Sequence, residues 1–433
     1  MSSFLEELHY KHMSESLSKL TKDQEKAWNA IIQGKNVFIT GGGGVGKSFI
    51  ISMYTKMYQN GKKIAVTSTT GVSALLINGT TIHSFAGIGL GKGSAEAIVT
   101  TIMKKSYLMK RWRELDTLIL DEISMLSPDL FDKLEQIART VRRNEKPFGG
   151  IQLILSGDFC QLPCVDSDGI CASASSWDRC VEEVIYMKQI VRQTDIAFCN
   201  CLNDVRLAIL SRETRKLLLS CFNRDLTNEL GIAPTRLFPL NYAVNYLNDQ
   251  EMDALSEDGR EFREYEMDIT VYPTVRNKME VLEKHKKNCM ALETLQLCVG
   301  AQVMLLHNLD LPAKLANGSR GVVTNFVDDM PVVKFLNGEE RTIDYFVWEV
   351  EENDKKLLSA RQIPLKVAYA MSIHKAQGVS LDYATVDLEE VFEYGQAYVA
   401  LSRVRTLEGL NIIGLDFKKI KAHPQAKEFY AKC

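Results

Sequence analysis

Residues 41–48 read GGGGVGKS and combine a glycine run with a lysine and a hydroxyl side chain. Gly41, Gly46, Lys47 and Ser48 fill the pattern G-x-x-x-x-G-K-[ST], in which backbone N–H groups surround phosphate oxygens. Glycine suits such a loop because a Cβ atom would point into the ligand. Lys47 would bring its charge to the β- and γ-phosphates, and the Ser48 hydroxyl would be a ligand of Mg²⁺. The stretch therefore predicts a nucleoside triphosphate site formed by Gly41, Gly42, Gly43, Gly44, Val45, Gly46, Lys47, Ser48 and Phe49.

Two adjacent carboxylates, Asp121 and Glu122, end the apolar stretch LILDE about 70 residues after the glycine loop. A residue at the carboxyl end of a parallel strand lies at the ligand-binding edge of the sheet. Neighbouring side chains at a strand end point in different directions, so one can bind a metal while the other orients a water. We assign Asp121 to Mg²⁺ and Glu122 to the attacking water. A surface acidic pair is the alternative.

A third candidate, Gln161, lies in the loop GDFCQLP after another apolar run, IQLIL. Its amide would reach the same sheet edge and could bond to a γ-phosphate oxygen or to water. From this position alone, an ordinary loop glutamine is an equally good interpretation.

The elements that must position these residues are short, nearly all-apolar runs that alternate with helix-like segments. NVFIT, KIAVTS, TLILDE and IQLILSGD have the composition of parallel strands covered on both faces, and they favour the phosphate loop over a chance glycine turn. The pattern returns in TRLFPLN, YATVDL and GLNIIGLD, so we expect two α/β sheets. Between them, residues 298–361 alternate in short runs with Asn-Gly and Asp-Asp turns, which predicts antiparallel hairpins and a small barrel.

Composition limits the remaining possibilities. The chain has 433 residues, more than one hydrophobic core usually holds, and a net charge of −3 that neither favours nor excludes nucleic acid. Basic clusters such as KRWR at 110–113 are more often solvated faces than phosphate contacts. The sequence lacks an apolar run of about 18 residues and a signal-peptide core. Its ten cysteines lack the paired C-x-x-C spacing of a zinc ribbon, so we expect reduced thiols.

Taken in order, the motifs resemble those of the Pif (petite integration frequency) family of 5′-to-3′ DNA helicases, in the B branch of superfamily one. The resemblance runs from about residue 20 to the C-terminus. TIHSFAGIGLG, PFGGIQLI and SIHKAQG are more specific to this family than the glycine loop. The other matching segments are LTKDQ, ITGGGGVGKS, TSTTGVSALLING, LILDEISM, LSGDFCQLP, VRQTD, TRLFPLN, VGAQVMLLHNLD, LANGSRGVV, IPLKVAYAM and GQAYVALSRVRTLEGL.

The resemblance implies an α/β fold of two tandem RecA-like P-loop domains that form a cleft for ATP. A small wedge insertion would interrupt the first domain, and a small Src-homology-like β-barrel would interrupt the second. The expected bounds are 1–19 for a lead-in, 20–185 for domain 1A with its wedge at about 88–113, 186–297 and 362–433 for domain 2A, and 298–361 for barrel 2B.

The resemblance also implies residue roles. Gln24 would contact adenine, Gly378 would bring backbone close to the γ-phosphate, and Arg192 and Arg403 would act as arginine fingers. The predicted catalytic set is then Lys47, Asp121, Glu122, Gln161, Arg192 and Arg403. Polar groups and an aromatic platform would contact single-stranded DNA, namely Thr70, Gly71, His83, Phe85, Ser372, His374 and Lys375. A packing role is the alternative for the two histidines.

The expected function is an ATP- and Mg²⁺-dependent 5′-to-3′ DNA helicase in DNA replication, repair, recombination or telomere maintenance. Its expected partners are single-stranded, duplex and forked DNA, with G-quadruplexes and RNA–DNA hybrids left open, and the free protein is expected to be a monomer. The expected location is intracellular, nuclear or cytoplasmic, and without a membrane. Two alternatives remain: a helicase directed to RNA or RNA–DNA hybrids, and a P-loop ATPase switch that does not unwind.

Overall fold

The structure is a computed structural model that describes residues 17–433 except 59, 60, 90, 166, 168, 194, 227–230, 274, 276, 277, 290, 311, 353 and 354. Most of the lead-in expected at 1–19 therefore lies outside the described residues. The chain divides into two compact units, Met1–Thr194 with Ala422–Cys433, and Asp195–Lys421. Among the described helices, none combines the length and apolar character needed to cross a bilayer.

The first unit is built on a six-stranded sheet with the order β3-β2-β4-β5-β1-β6, and all of its strand pairs are parallel. The strands are β1 Val37–Thr40, β2 Ile64–Ser68, β3 Thr80–Thr81, β4 Thr117–Asp121, β5 Gln152–Gly157 and β6 Glu183–Tyr186. The helices are α1 Lys22–Ile32, α2 Lys47–Tyr58, α3 Gly71–Leu76, α4 Ile82–Ala86, α5 Ala95–Met103, α6 Ser106–Glu114, α7 Pro128–Arg142 and α8 Trp177–Cys180.

The central strands of this sheet are apolar because helices cover both of its faces. Val37, Ile39, Ile119 and Ile154 are fully buried in a core that α1 and α2 complete. The helices begin where the sequence supplies caps: Ser127 Oγ accepts a hydrogen bond from the third residue of α7, whose first position is a proline. This packing fixes the carboxyl ends of β1, β4 and β5, where the candidate site residues follow.

The wedge expected at about 88–113 contains α5 and most of α6. Trp112 on α6 is completely buried and donates from Nε1 to Ala86 O at 3.2 Å. Arg142 on α7 donates from Nη1 to Trp112 O at 2.7 Å. These contacts attach the insertion to the body of the first unit, and its role as a wedge stays a prediction.

The second unit contains a four-stranded parallel sheet with the order β18-β7-β19-β20. Its strands are β7 Thr235–Phe238, β18 Ala370–Ser372, β19 Ala384–Asp387 and β20 Leu410–Gly414. The helices of this unit are α9 Ile196–Leu207, α10 Arg212–Ser220, α11 Asn241–Glu257, α12 Lys278–Asn288 and α13 Gln396–Leu401. The expectation of two parallel α/β sheets is confirmed.

Antiparallel strands occupy the middle of the second unit. They are β8 Arg263–Glu266, β9 Asp268–Val271, β10 Thr294–Leu297, β11 Gln302–Leu305, β12 Arg320–Val327, β13 Met330–Phe335, β14 Glu340–Thr342, β15 Phe346–Glu352, β16 Lys355–Gln362 and β17 Leu365–Val367. The largest of their sheets has the order β14-β13-β12-β11-β17. Tyr265 and Leu295 join the core of that sheet. The antiparallel part therefore extends beyond the 298–361 expected, because earlier strands complete its core.

The last helix, α14 Pro424–Ala431, belongs to the first unit, whereas the sequence analysis placed all of 362–433 in domain 2A. Phe429 supplies the reason, because its ring packs against Phe38 of β1 at a centroid distance of 6.0 Å and against Phe159 at 5.2 Å. The division near Thr194 also lies later than the expected boundary at 185, because residues 191 and 192 bond to the glycine loop.

Candidate nucleotide and DNA sites

The glycine loop leaves the end of β1 and enters α2, whose first residue is Lys47. Gly41, Gly44 and Gly46 have φ angles of +143°, +84° and +90°, which residues with a Cβ rarely adopt. Lys47 Nζ donates to the backbone oxygens of Gly41 at 2.7 Å and Gly42 at 3.0 Å. The ammonium group thus lies over the loop at a helix N-terminus, where an anion is favoured.

Two of these glycines are required by close contacts within the protein as well as by a ligand. A Cβ on Gly44 would lie 2.6 Å from the Cβ of Arg192, and a Cβ on Gly46 would lie 2.4 Å from Gln24 Nε2. The sequence analysis explained the glycines by phosphate approach alone. Close packing of the loop against two other motifs is a second reason, which only the structure reveals.

Gln24 is buried and uses both ends of its amide within the first unit. Its Oε1 accepts from Thr21 N at 3.0 Å, and Thr21 Oγ1 accepts from Gln24 N, which forms a capping box at the start of α1. Its Nε2 donates to Val45 O in the glycine loop at 3.0 Å. Gln24 therefore links α1 to the loop, and its contact with adenine stays a prediction.

Arg192 lies against the glycine loop inside the first unit. The backbone N–H groups of Val191 and Arg192 donate to Gly44 O at 2.9 and 3.1 Å, so this segment is fixed to the loop through its main chain. The sequence analysis had assigned residue 192 to domain 2A, and the structure places it in the unit that carries the nucleotide loop. Its half-buried side chain starts from a backbone that is already positioned.

Asp121 ends β4, and Glu122 begins a turn with left-handed backbone angles, φ 54° and ψ 43°. This region costs a non-glycine residue about 1–3 kcal/mol and recurs at functional sites. Two contacts hold the turn: Glu122 N donates to Asp121 Oδ1 at 2.9 Å, and Thr69 Oγ1 donates to Glu122 O at 2.9 Å. The strained residue is the one that the sequence analysis selected to orient water.

Gln161 follows the neighbouring strand β5, and its backbone N–H donates to Asp158 O at 2.9 Å in a tight turn. A Cβ on Gly157, at the end of β5, would lie 2.9 Å from Ile123 N, so this strand end passes close to the Asp121–Glu122 turn. Gln161 is only 4% exposed. The structure therefore brings the three candidates to one edge of the first sheet, at the ends of adjacent strands.

A magnesium site would depend on few protein ligands. Across the part of the chain that the structure describes, no cluster of three or more His, Cys, Asp or Glu side chains could hold a metal ion. Ser48 and Asp121 offer a hydroxyl and a carboxylate, and hard oxygen donors of this kind suit Mg²⁺, which keeps several waters and is bound through nucleotide phosphates as well. The donor set fits the predicted ion.

Thr70 and Gly71, predicted to contact DNA, follow β2. Thr70 Oγ1 accepts from Ser73 N at 3.2 Å, and Ser73 Oγ lies 2.6 Å from Ser68 Oγ at the end of the strand. Gly71 is the first residue of α3. A chain of hydroxyl groups thus lines the carboxyl end of β2, and hydroxyls of this kind contact phosphates without reading sequence.

His83 and Phe85 lie on α4, beside a cation that the sequence analysis did not select. The guanidinium of Arg111 lies over the Phe85 ring at 5.4 Å, and its Nη1 donates to Phe85 O at 2.6 Å. Burial lowers the pKa of His83, which favours a neutral imidazole. The sequence signal for Arg111 was its basic cluster, which could not indicate that it would pair with an aromatic ring.

Ser372 ends β18 in the second unit, and the turn that follows carries His374, Lys375 and Gly378. Ser372 O accepts from Ala376 N at 2.9 Å, and Ser372 Oγ accepts from Lys375 N at 3.4 Å. Gly378 has a φ of +81°. The structure thus groups the predicted residues of SIHKAQG at the carboxyl edge of the second sheet.

Arg403 is only 2% exposed and makes its bonds inside the second unit. Its Nε donates to Val399 O at 2.9 Å, and its Nη2 donates to Ser402 Oγ at 2.8 Å. Its Nη1 lies 3.5 Å from the backbone oxygens of both Ala376 and Val379. The guanidinium therefore ties α13 to the SIHKAQG turn, a structural contribution that sequence reasoning missed. Its role as an arginine finger stays a prediction.

Lys366 on β17 is a further cation beside this turn. Its pKa is lowered to about 8 by burial first, and then by the positive charge of Lys375. Two neighbouring lysine ammonium groups repel each other, and a bound anion such as a phosphate reduces this repulsion. Lys366 lies within the segment IPLKVAYAM, and the family resemblance implies no role for it.

Sequence and structure comparisons relate this chain to known helicases. The sequence model of PIF1-like helicases matches residues 19–210, and the model of the DNA helicase Pif1 2B domain matches residues 280–326. The crystal structure of the Pif1 helicase from Candida albicans is 35% identical, with a TM-score of 0.77, and the alignment covers 95% of this chain and 99% of that one. The chain belongs to the Pif1 helicase family.

Two further Pif1 proteins extend the comparison. The chain is 38% identical to the ATP-dependent DNA helicase PIF1 of Xenopus laevis over 95% of its own length and 64% of that protein. A Bacteroides Pif1 helicase in complex with ADP-AlF3 and single-stranded DNA is 29% identical with a TM-score of 0.64, over 95% of this chain and 96% of that one. The chain thus spans 64% of the length of that Xenopus laevis relative. Its two parallel sheets correspond to the tandem RecA-like domains of the family.

Proposed function

We propose that this member of the Pif1 family is an ATP-dependent DNA helicase that moves 5′ to 3′ along single-stranded DNA and separates duplex or forked DNA. The observation that carries the proposal is the sheet edge of the first unit, where Lys47 follows β1, Asp121 and Glu122 lie at the end of β4, and Gln161 follows β5. The Bacteroides relative bound to ADP-AlF3 and single-stranded DNA supports both ligands. Replication, repair, recombination and telomere maintenance are the processes in which such an activity would act.

In this proposal, the glycine loop and Lys47 bind the β- and γ-phosphates, and Ser48 and Asp121 hold Mg²⁺. The ion would neutralise charge on the phosphate oxygens. Glu122 orients the attacking water from its strained turn, and Gln161 bonds to the γ-phosphate or to that water. Arg192, fixed beside Gly44, donates to the transferred phosphoryl group as its charge spreads.

DNA contacts in this proposal use groups that do not read bases. The hydroxyl groups of Thr70 and Ser372 bond to phosphate oxygens, and Lys375 with Lys366 adds positive charge. Phe85, with Arg111 over its ring, offers a stacking surface for a base. Such contacts are tolerant of sequence, which a protein that moves along a strand requires.

The deciding experiment is an unwinding assay with matched duplexes that carry either a 5′ or a 3′ single-stranded tail. We expect ATP- and Mg²⁺-dependent strand separation of the 5′-tailed duplex only. Lys47→Ala is the matched inactive variant, and a non-hydrolysable ATP analogue is the second control. Unwinding of the 3′-tailed duplex alone would mean that the protein moves 3′ to 5′. ATP hydrolysis without any unwinding would favour the P-loop ATPase switch.

The same preparation tests the substrate range and the proposed phosphate contacts. Hydrolysis rates with DNA and RNA strands of equal sequence separate a DNA helicase from one directed to RNA, and G-quadruplex and RNA–DNA hybrid substrates extend the series.

The logarithm of the binding constant for a short DNA strand should fall with log salt by about 0.7 per phosphate contact. Sedimentation without DNA tests the expected monomer. An affinity independent of salt would contradict the phosphate contacts.

A further inference from the structure

The C-terminal helix α14 carries Tyr430, whose hydroxyl is directed into the first unit. Phe159 N donates to Tyr430 Oη at 3.1 Å, and Tyr430 Oη shares a second hydrogen bond with Thr40 Oγ1. Thr40 is the last residue of β1, directly before the glycine loop, and is completely buried. Phe159 lies in the tight turn that carries Gln161. One hydroxyl therefore bridges the strand end before the nucleotide loop and the turn that holds a candidate catalytic amide.

The ring of Tyr430 is fixed by its neighbours, so the hydroxyl has a defined place. Tyr430 is 7% exposed, and its ring lies 5.3 Å from that of Tyr186 on β6. The adjacent Phe429 packs edge to face on Phe159. At the start of the helix, Gln425 Oε1 accepts from Ile170 N at 3.1 Å. Contacts along the whole of α14 thus hold the hydroxyl against both segments.

The strand end that Tyr430 contacts is also where the Arg192 segment begins. Met187 N donates to Thr40 O at 2.8 Å, and a Cβ on Gly41 would lie 2.3 Å from Met187 O. Movement of Thr40 would therefore displace the first glycine of the loop and the segment leading to Arg192 together. The effect of the hydroxyl on catalysis would come through geometry, because its hydrogen-bond partners Thr40 and Phe159 lie directly before the glycine loop and in the Gln161 turn.

We propose that Tyr430 is a positioning residue of the nucleotide site, which fixes the spacing between the glycine loop and the Gln161 turn; this inference rests on the function proposed above. Misplacement of reacting groups by about 1 Å can slow a reaction by about a hundredfold without loss of ground-state binding. The hydroxyl thus acts on turnover more than on nucleotide affinity.

The first test is DNA-stimulated ATP hydrolysis by the full chain with Tyr430→Phe, which keeps the ring and removes one oxygen. We expect kcat to fall roughly tenfold while KM for ATP stays within about twofold. Thr40→Val, which removes the partner hydroxyl, should lower kcat by the same factor. Thr40→Ser keeps that hydroxyl and should have a kcat close to that of the wild type. The double variant Tyr430→Phe/Thr40→Val should be no slower than either single variant. Wild-type kcat in Tyr430→Phe, or additive losses in the double variant, would overturn the proposal.

Tyr265→Phe is the matched control in the second unit, because it also removes one partly buried hydroxyl, which donates to Asp329 O at 2.6 Å. It should change the melting temperature by a similar amount and leave kcat unchanged. A loss of kcat that follows the melting temperature equally in both variants would mean that Tyr430 contributes only stability, which also overturns the proposal.

Hydrogen–deuterium exchange separates this inference from the helicase proposal, because it needs no turnover. Tyr430→Phe should speed amide exchange in residues 41–46 and 158–161, and Tyr265→Phe should not. If the wild-type chain hydrolyses no ATP, the proposed function fails while this exchange pattern still supports the positioning role. Unchanged exchange in both segments overturns the positioning role whatever the hydrolysis rate.

Discussion

The two parallel sheets of the molecule have the same kind of architecture and different chemistry at their carboxyl edges. In the first, β1 is followed by a glycine loop, and β4 and β5 end in Asp121 and in the turn that carries Gln161. In the second, β7 is followed by Pro239 and Leu240, and α11 begins without a side-chain cap. β18 ends in a turn that the buried Arg403 ties down. A nucleotide site therefore depends on the residues that follow the strands, because the sheets alone do not distinguish the two units.

The largest expected effect is the loss of the charge over the glycine loop. Lys47→Ala should reduce ATP hydrolysis at least about a hundredfold, because it removes the positive group proposed to bind the β- and γ-phosphates. Hydrolysis and binding of a fluorescent ADP analogue measure the two consequences.

Lys56→Ala is the matched control, since Lys56 lies exposed in the last turn of the same helix α2. It should behave as the wild type. Substantial hydrolysis by Lys47→Ala would mean that the glycine loop is not the catalytic phosphate site, and the contrast between the two sheets would lose its basis.

Glu122→Gln should lower kcat by about two to four orders of magnitude with little change in ATP affinity, because the amide keeps the shape of the carboxylate and cannot accept the proton of water. Single-turnover hydrolysis beside equilibrium nucleotide binding separates the two effects. Glu25→Gln, an exposed acid on α1, is the control for the loss of one negative charge. Unchanged turnover in Glu122→Gln would refute its assignment as the residue that orients water.

The two arginine candidates sharpen the comparison, because one belongs to each unit. Arg192→Ala should slow turnover by about a hundredfold or more, and the backbone N–H of residue 192 keeps its bond to Gly44 O. Arg403→Ala should slow turnover and also lower the free energy of unfolding by about 1–3 kcal/mol, because Val399 O loses a buried donor.

Arg405→Ala is the control for the second unit. Arg405 lies two residues after Arg403, is half-exposed and forms an ion pair with Asp382. Thermal unfolding and kcat should both stay close to the wild type. If Arg403→Ala lowers the melting temperature and leaves the kcat of the folded fraction unchanged, then Arg403 stabilises the SIHKAQG turn and is not an arginine finger.

Sequence reasoning identified the motif residues because each follows a strand whose apolar run is easy to read. It located the glycine loop, the Asp121–Glu122 turn and the SIHKAQG turn, and it predicted both parallel sheets. Each of these features is local, so a few neighbouring residues carry the whole signal.

Features that depend on long-range packing could not be predicted from the sequence. Gly44 and Gly46 are constrained by Arg192 and Gln24, Arg111 reaches Phe85, and α14 joins the first unit. Each of these pairs brings together distant segments, and an isolated arginine or C-terminal aromatic residue gives no sign of its partner. The bounds of the antiparallel part failed for the same reason, because β8 and β10 complete its core from earlier in the chain.

The smallest expected effect is a pH dependence that belongs to the second unit. The pKa of Lys366 is lowered to about 8, so the side chain is mostly charged at pH 7 and mostly neutral at pH 9. Bound phosphates favour the charged form, so the affinity for single-stranded DNA should fall as the pH rises through 8, by at most about tenfold between pH 7 and 9. Fluorescence anisotropy of a labelled oligonucleotide measures this change at constant ionic strength.

Protein stability should change in the opposite direction, which separates the two effects of the same lysine. The unfolded chain keeps Lys366 protonated to about pH 10.4 and so binds more protons than the folded chain above pH 8, which makes the contribution of Lys366 to the free energy of unfolding rise with pH in that range. Lys366→Gln should flatten the pH profile of DNA affinity, whereas Lys418→Gln, at an exposed position of the same unit, should leave it intact. A steep profile that persists in Lys366→Gln would assign the titration to another group and would remove Lys366 from the proposed DNA contacts.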